Sequence, residues 1–169
     1  MSDASSRSSA GFTLIELMVV MLLITILLAV AIPRFGSGPF QDPVKKVSRW
    51  TINTVRSLRS AAVQKHKQYS LIVDLSRHRL WVANEEMNEE ALSQEAENAF
   101  RLPSSMRIVS VQFPDKERVS VGTVEIHFYP SGYSDKAVIH MEKDRTERYS
   151  WVLEPLLPKV KFYEEWVQL

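Results

Sequence analysis

The sequence feature that most constrains this chain is an apolar segment close to its N-terminus. Within residues 12–32, Glu16 is the only charged side chain. As an α-helix, these 21 residues would span about 31 Å, which is close to the hydrocarbon thickness of a bilayer. The sequence therefore predicts a transmembrane helix over residues 12–34.

Glu16 lies near one end of this segment, where an ionised carboxylate is costly in lipid and needs a partner. Cleavage of the chain after Gly11 would create one, the α-amino group of Phe12, four residues before Glu16. An ordinary signal peptide has a shorter apolar region, about 7–15 residues, and ends at a small-residue cleavage site. A simple signal anchor explains the length of the segment but neither Glu16 nor the Gly11-Phe12 pair.

The sequence Gly11-Phe12-Thr13-Leu14-Ile15-Glu16, followed by an unbroken apolar run, resembles the N-terminal signature of type IV pilins and type II secretion pseudopilins. The resemblance implies that residues 1–11 are a leader removed by a prepilin peptidase. It also implies N-methylation of Phe12 and pairing of Glu16 with the Phe12 amine of an adjacent subunit. Pro33 matches the position of a helix kink in that family, although a helix terminator at the membrane surface explains it equally well.

Residues 35–68 are predicted to form a stem. The breaker cluster at residues 36–39 predicts a bend, and Asp42-Pro43 is typical of an N-cap followed by the first helical residue. Apolar side chains then recur at helical spacing to near His66, so an amphipathic helix is expected to lie on a core. Its predicted apolar stripe is Val44, Val47, Thr51, Val55, Leu58 and Ala62.

The stem is strongly basic. Between Pro33 and Lys67 the only acid is Asp42, against eight bases: Arg34, Lys45, Lys46, Arg49, Arg56, Arg59, Lys65 and Lys67. Such a segment is attracted to anionic headgroups or to acidic faces of neighbouring subunits. The alternative is a helix face that is simply solvated.

Residues 69–169 are predicted to form a mostly β head. Residues 69–75 and 80–83 indicate a hairpin, and a turn is expected at Pro130-Ser131-Gly132. Glutamates at helical spacing between Glu85 and Glu97 indicate a short acidic helix or a partly ordered loop. Further strands are expected at residues 106–113, 120–129, 136–142, 148–153 and 160–167, giving two antiparallel sheets packed on the stem.

The sequence indicates no cofactor, metal site or enzymatic activity. The glutamates near Glu90 lack the Asp/Asn alternation and glycine turn of a calcium loop. The four histidines have no metal-ligand spacing, and no nucleophile motif accompanies them, although His127 and His140 are expected to be neighbours across a hairpin. An acidic head also argues against nucleic acid. Without cysteine, the head must hold by packing alone.

Three C-terminal segments carry a second resemblance: residues 129–134, 137–141 and 149–155 are similar to the β domain of H-type minor pseudopilins and FimT-type minor pilins. That family closes with a Gly-Arg turn, where this chain has Leu157-Pro158-Lys159-Val160. The implied fold is α+β and pilin-like, with a long N-terminal transmembrane and amphipathic helix packed on an antiparallel β domain.

The implied function is that of a minor pseudopilin at or near the tip of a periplasmic pseudopilus, anchored once in the inner membrane. Its implied partners are the prepilin peptidase, other major and minor pseudopilins, inner-membrane lipid and the inner-membrane secretion platform. A minor type IV pilin involved in pilus priming or DNA uptake is the alternative. A membrane-anchored periplasmic enzyme is an alternative of another class, and it would need a convergent pocket.

Overall fold

The computed structural model describes residues 13–35, 42–157 and 159–169. The chain divides into two compact units, Met1–Phe40 and Gln41–Leu169. Helix α1, Leu14–Phe35, belongs to the first unit, and the second contains two further helices and eight strands in an α+β arrangement. The bend expected at residues 36–39 lies outside the described residues.

Helix α2, Pro43–Lys65, confirms the predicted stem helix and both of its ends. The Asp42 carboxylate accepts a hydrogen bond from the Val44 N–H at 3.0 Å, which satisfies one of the free donors of the first turn. His66 ends the helix in a left-handed conformation, with φ of 54°, and its N–H donates to the Ala62 carbonyl. The buried residues are those of the predicted stripe: Val44, Val47, Thr51, Val55, Leu58 and Ala62.

The first antiparallel sheet has the order β3-β2-β1-β5. Strands β1, Tyr69–Asp74, and β2, Arg79–Asn84, form the predicted hairpin, with Val73 opposite Leu80. The short strand β3, Phe100–Arg101, pairs with β2, and β5, Thr123–Phe128, pairs with the other side of β1. Every residue of β1 is buried, because β1 lies inside the sheet and α2 packs on it.

The second antiparallel sheet has the order β4-β6-β7-β8. Its strands are β4, Met106–Gln112; β6, Ala137–Lys143; β7, Glu147–Leu153; and β8, Lys161–Tyr163. Strand β8 is shorter than the predicted 160–167. The reason is that residues 165–167 leave the ladder, and the backbone of Glu165 and Val167 bonds instead to the Ser150 hydroxyl.

The acidic segment forms helix α3, Glu89–Glu97, so the helical interpretation is confirmed. The Asn88 side chain caps it by accepting a hydrogen bond from the Ala91 N–H at 2.9 Å. No residue of α3 is buried. The Arg79 guanidinium, which also pairs with Asp74, donates to the Ala96 carbonyl at 3.0 Å and so ties α3 to the first sheet.

Helix α2 joins both sheets. On one side Trp50 stacks on Phe100 of β3, with ring centroids 4.4 Å apart. On the other side Trp151 of β7 is fully buried, and its indole N–H donates to the Ser48 hydroxyl at 3.1 Å. The hydrophobic core therefore lies between α2 and the inner faces of the two sheets.

Candidate functional site

Helix α1 begins directly after the candidate cleavage site. Gly11 and Phe12 lie outside the described residues, and the description starts at Thr13. The Glu16 N–H donates to the Thr13 hydroxyl at 3.3 Å and to the Thr13 carbonyl at 3.1 Å. Thr13 thus caps the helix and Glu16 stands in its first turn, where the helix dipole favours a carboxylate. Glu16 is three residues from the cap and four from Phe12.

The described side chains of α1 are apolar and exposed. Every residue from Thr13 to Leu27 is exposed, with 73% of Leu14 and 68% of Leu27 accessible. The Thr25 hydroxyl donates to the Met21 carbonyl at 2.8 Å, so this polar group is satisfied inside the helix. Glu16 is the only ionisable side chain in Leu14–Leu27.

Among the residues that the structure describes, no helix combines the length and apolar character needed to cross a membrane. Pro33 lies within α1, which ends two residues later at Phe35.

Arg59 connects α2 with two loops of the head. Its guanidinium donates to the Pro155 and Glu154 carbonyls, both at 3.0 Å, and to the Ser134 hydroxyl at 3.0 Å. A longer contact of 3.5 Å reaches the Gly132 carbonyl. Burial lowers the pKa of Arg59 from its ordinary value. This side chain therefore fixes the stem to the loop after β5 and to the end of β7.

The turn that Arg59 contacts was predicted, but the role of Arg59 was not. The Gly132 N–H donates to the Tyr129 carbonyl at 2.9 Å, which closes the expected Pro-Ser-Gly turn. Gly132 has φ of 90°, a conformation that favours glycine. In sequence terms Arg59 is only one of the eight bases of the stem and is assigned to no face of the helix. The available signal was its position beside Leu58 and one turn after Val55, at the edge of the apolar stripe.

An open cleft of about 630 Å³ in the head is lined largely by ionisable side chains. His127 Nδ1 lies 2.9 Å from an Asp135 oxygen, and its Nε2 lies 3.6 Å from Glu125. The Tyr129 hydroxyl donates to the other Asp135 oxygen at 3.1 Å, and burial together with this bond raises the pKa of Tyr129. The remaining lining residues are Phe113, Pro114, Lys116, Glu117, Val119 and Lys136.

This cleft holds a histidine–carboxylate pair without the third member that covalent chemistry requires. The lining includes no serine, threonine or cysteine that His127 could activate. Asp135 also accepts the His127 backbone N–H at 2.9 Å, while the Asp135 N–H donates to the His127 carbonyl. These bonds hold the loop that follows β5 against the sheet edge. Among the described residues, no group of three His, Asp or Glu side chains could hold a metal ion.

The interpretation that His127 and His140 are neighbours across a hairpin is wrong. His127 lies on β5 in the first sheet and His140 on β6 in the second. His140 is buried, with Nδ1 3.1 Å from the Ser110 hydroxyl and Nε2 2.8 Å from the Val167 carbonyl. Burial lowers the pKa of His140. It is a core residue that anchors the C-terminal segment.

His66 and His78 have structural positions as well. His66 caps α2 in the left-handed conformation. His78 Nδ1 accepts a hydrogen bond from the Ile108 N–H at 3.3 Å, so the hairpin turn contacts the second sheet. Burial, followed by the nearby Arg107, lowers the pKa of His78, which favours the neutral ring that this bond needs.

Comparison with known proteins gives one sequence match and a structural likeness. Residues 6–32 match the family of the prokaryotic N-terminal methylation motif. A structure of the minor pseudopilin EpsH from the type 2 secretion system of Vibrio cholerae aligns with a TM-score of 0.50 and 10% identity, covering 73% of this chain and 98% of that one. A crystal structure of the minor pseudopilin EpsH from the type II secretion system of Vibrio cholerae aligns with a TM-score of 0.44 and 12% identity. This alignment covers 69% of this chain and 96% of that one. The comparison with curated proteins finds no match.

The two findings carry different information. The methylation motif includes Gly11, Phe12 and Glu16 and ends at Ile32, within α1. At 10% identity, the alignment with EpsH shows a shared fold. The chain thus carries an N-terminal methylation motif together with an α+β fold like that of a minor pseudopilin.

Proposed function

We propose that this chain is a minor pseudopilin of a type II secretion system, assembling at or near the tip of a periplasmic pseudopilus. The observation that carries the proposal is a combination. A methylation motif covers residues 6–32, directly before and within an apolar helix, and the fold is similar to that of a minor pseudopilin. In this function the protein is a structural subunit and not an enzyme.

The first step is processing at the N-terminus. A prepilin peptidase cleaves after Gly11 and removes residues 1–11, and the new N-terminal amine of Phe12 is methylated. Cleavage places a positive charge one residue before Thr13, which caps α1. The free amine then lies four residues before Glu16, at the start of an apolar helix.

The second step is assembly through a charge pair. Glu16 pairs with the Phe12 amine of an adjacent subunit when the N-terminal helices bundle. Both groups have lost water in such a bundle, and an unpaired charge in a low-dielectric environment is expensive. The pair therefore disfavours every register in which the carboxylate and the amine do not meet.

The location follows from the apolar segment. Residues 12–34 anchor the chain once in the inner membrane, residues 35–68 form the stem, and residues 69–169 form the head in the periplasm. The support for the anchor is the sequence of α1 and the exposure of its described side chains, since a helix that is apolar all round needs an apolar environment. Pro33, near the end of α1, is where we expect the helix to kink.

The head makes contact with other major and minor pseudopilins, and the growing filament pushes substrates through the outer membrane. The inner-membrane secretion platform supplies the subunits with their point of assembly. The Arg59 contacts support a role in which stem and head act together, because they fix the stem to the head at two loops. A force applied to the stem is then transmitted to the head without relative movement.

Gly11→Val tests the proposal at its first step. The branched side chain should block cleavage, so that a precursor longer by the leader accumulates in the membrane and never enters the filament. Ser8→Val, in the same leader but away from the cut, is the matched control and should be processed like the wild type. Processing of Gly11→Val at the normal rate would contradict the assigned cleavage site.

Loss of the whole chain distinguishes secretion from a pilus. Deletion of its gene should stop export of secreted proteins across the outer membrane and leave surface pili intact. Loss of surface pili with normal export would instead identify the chain as a minor type IV pilin. Export is measured as the fraction of a secreted protein found outside the cells.

A further inference from the structure

The outward face of α2 carries a row of cations. Lys45, Lys46, Arg49 and Arg56 are exposed, and they lie on the opposite side of the helix from the buried stripe. At 100° per residue, their positions fall within an arc of about 100°, and at 1.5 Å per residue they extend over about 17 Å. Helix α2 contains no acidic residue. We call these four residues the basic face.

The basic face has no counter-charge within the described residues. None of its four cations is among the ion pairs there, whereas three other lysines are paired: Lys67 with Glu86, Lys143 with Glu147 and Lys161 with Glu154. The acidic helix α3 packs on β2 instead. Four like charges on one helix repel one another, so an anionic surface that covers them stabilises the folded stem.

Two exposed apolar side chains directly follow the residue that Arg59 of α2 binds. Arg59, three residues after Arg56, donates to the Pro155 carbonyl at 3.0 Å, and this bond brings the following residues close to α2. Leu156 is 81% exposed, and Leu157 is 48% exposed. Cations beside exposed leucines are the combination that binds the boundary between headgroups and acyl chains.

The covalent chain limits how far the basic face can be from the end of α1. Eight peptide steps separate Phe35 from Pro43, and a fully extended chain covers at most about 3.6 Å per step, or roughly 29 Å in all. Lys45 and Lys46 follow within the first turn of α2. This limit permits the first cations to contact a bilayer that holds α1.

We propose that the basic face binds anionic phospholipid headgroups of the bilayer in which α1 is anchored. This inference rests on the membrane anchor of the proposed function. Each surface cation contributes about a fivefold preference for an anionic over a neutral membrane at low salt. The covalent reach and the exposed leucines favour lipid over the acidic surface of another protein as the occupant.

Energy transfer from α2 to labelled lipid tests the inference in the full chain. The protein has no cysteine, so Asn53→Cys, exposed within the basic face, accepts a single donor fluorophore. The chain is placed in vesicles of phosphatidylcholine alone or mixed with phosphatidylglycerol, each with a trace of headgroup-labelled acceptor. We expect stronger transfer with phosphatidylglycerol, and loss of the difference at high salt.

Two quadruple variants of the labelled chain make the test specific. The first variant replaces Lys45, Lys46, Arg49 and Arg56 with Gln. It should weaken the binding of α2 to the phosphatidylglycerol membrane by about fivefold per charge. The control replaces four exposed cations of the head, Arg77, Arg101, Lys116 and Arg145, with Gln. It has the same net charge and should keep the transfer of the parent.

Each outcome decides between the inference and the proposed function. A chain that does not float with phosphatidylcholine vesicles contradicts the anchor itself. A chain that floats but transfers energy equally in both lipids overturns only the inference. An equal loss of the phosphatidylglycerol-dependent energy transfer in both quadruple variants also overturns the inference, since net charge would then account for the effect. If energy transfer is equal in the two lipid mixtures and the basic-face variant also fails to enter filaments, the basic face binds an acidic protein surface instead.

Discussion

The two long helices of this chain are nearly equal in length and opposite in design. Helix α1 has 22 residues and α2 has 23. The described side chains of α1 are almost all apolar and all exposed, whereas α2 buries one apolar stripe and exposes charges. The stripe of α2 finds its partner in the sheets of its own head. The described side chains of α1, from Leu14 to Leu27, are exposed.

The charged residues of the two helices differ in the same way. On α2 the charged residues stay on the exposed side, and the terminal nitrogens of Arg59, which is partly buried, donate to two carbonyls and a hydroxyl of the head. Glu16 of α1 stands alone in an apolar sequence. In the assembly that we propose, a bundle of such helices offers it no water, and its proposed partner is the Phe12 amine of an adjacent chain.

The largest effect on head stability is expected from Leu58→Ala. Leu58 is 3% exposed, and truncation of a core leucine costs about 2–5 kcal/mol of unfolding free energy. The measurement is denaturant unfolding of the full chain in detergent, followed by tryptophan fluorescence. Leu22→Ala on α1 removes the same atoms from an exposed site and should leave head unfolding unchanged.

A second control stays on α2. Arg56→Ala on the exposed face should change the unfolding free energy by no more than about 0.5 kcal/mol. Equal losses from the leucine and arginine substitutions would contradict the assigned helix face. A loss from Leu22→Ala as large as that from Leu58→Ala would remove the contrast between the two helices.

The next effect is expected from Arg59→Met. Methionine keeps an apolar side chain but cannot donate to the Glu154 carbonyl or the Ser134 hydroxyl, and hydrogen bonds from a charged group contribute about 1.5–3 kcal/mol. Unfolding free energy is the readout, with Arg49→Met as the exposed control. A loss no greater than that of the control would mean that Arg59 does not fix the stem to the head.

A smaller effect is expected at the start of α2. Asp42→Ala removes the side-chain acceptor for the Val44 N–H, and loss of an N-cap typically costs about 1 kcal/mol. Asp42→Asn keeps an acceptor oxygen and should restore most of this stability. If both variants lose the same amount of unfolding free energy, the charge of Asp42 and not its hydrogen bond supports the helix.

Much of the head could be predicted because its periodicities are strong. All six stripe residues of α2 recur at helical spacing, and the alternation in residues 123–128 is that of a strand with one buried face. The caps at Asp42 and the turn at Gly132 depend on local chemistry that the sequence displays. The first-turn position of Glu16 in α1 likewise follows from its spacing to Thr13.

The errors concern contacts between segments that are distant in sequence. Residue composition identified β5 and β6 as strands but contained no information about which sheet each joins, so the expectation that His127 and His140 are neighbours is wrong. The Arg59 contacts span 73 to 96 residues. Helical spacing does not decide whether Arg59, next to the buried Leu58, points toward the head or toward solvent. Its partner loops are distant in sequence and leave no pattern near Arg59.

The central claim is that α1 works through a charge pair with another subunit, and Glu16→Val tests it most directly. Valine is easier to bury than a carboxylate, so the variant should insert in the membrane and lose its leader like the wild type. Thr25→Val, at the other polar position of Leu14–Leu27, is the control and should assemble normally.

Incorporation of the processed chain into filaments, measured by crosslinking to neighbouring pseudopilins, is the decisive readout. The account predicts normal cleavage and almost no incorporation of Glu16→Val. Incorporation of the processed Glu16→Val chain at the wild-type level would contradict the charge pair and, with it, the role assigned to α1.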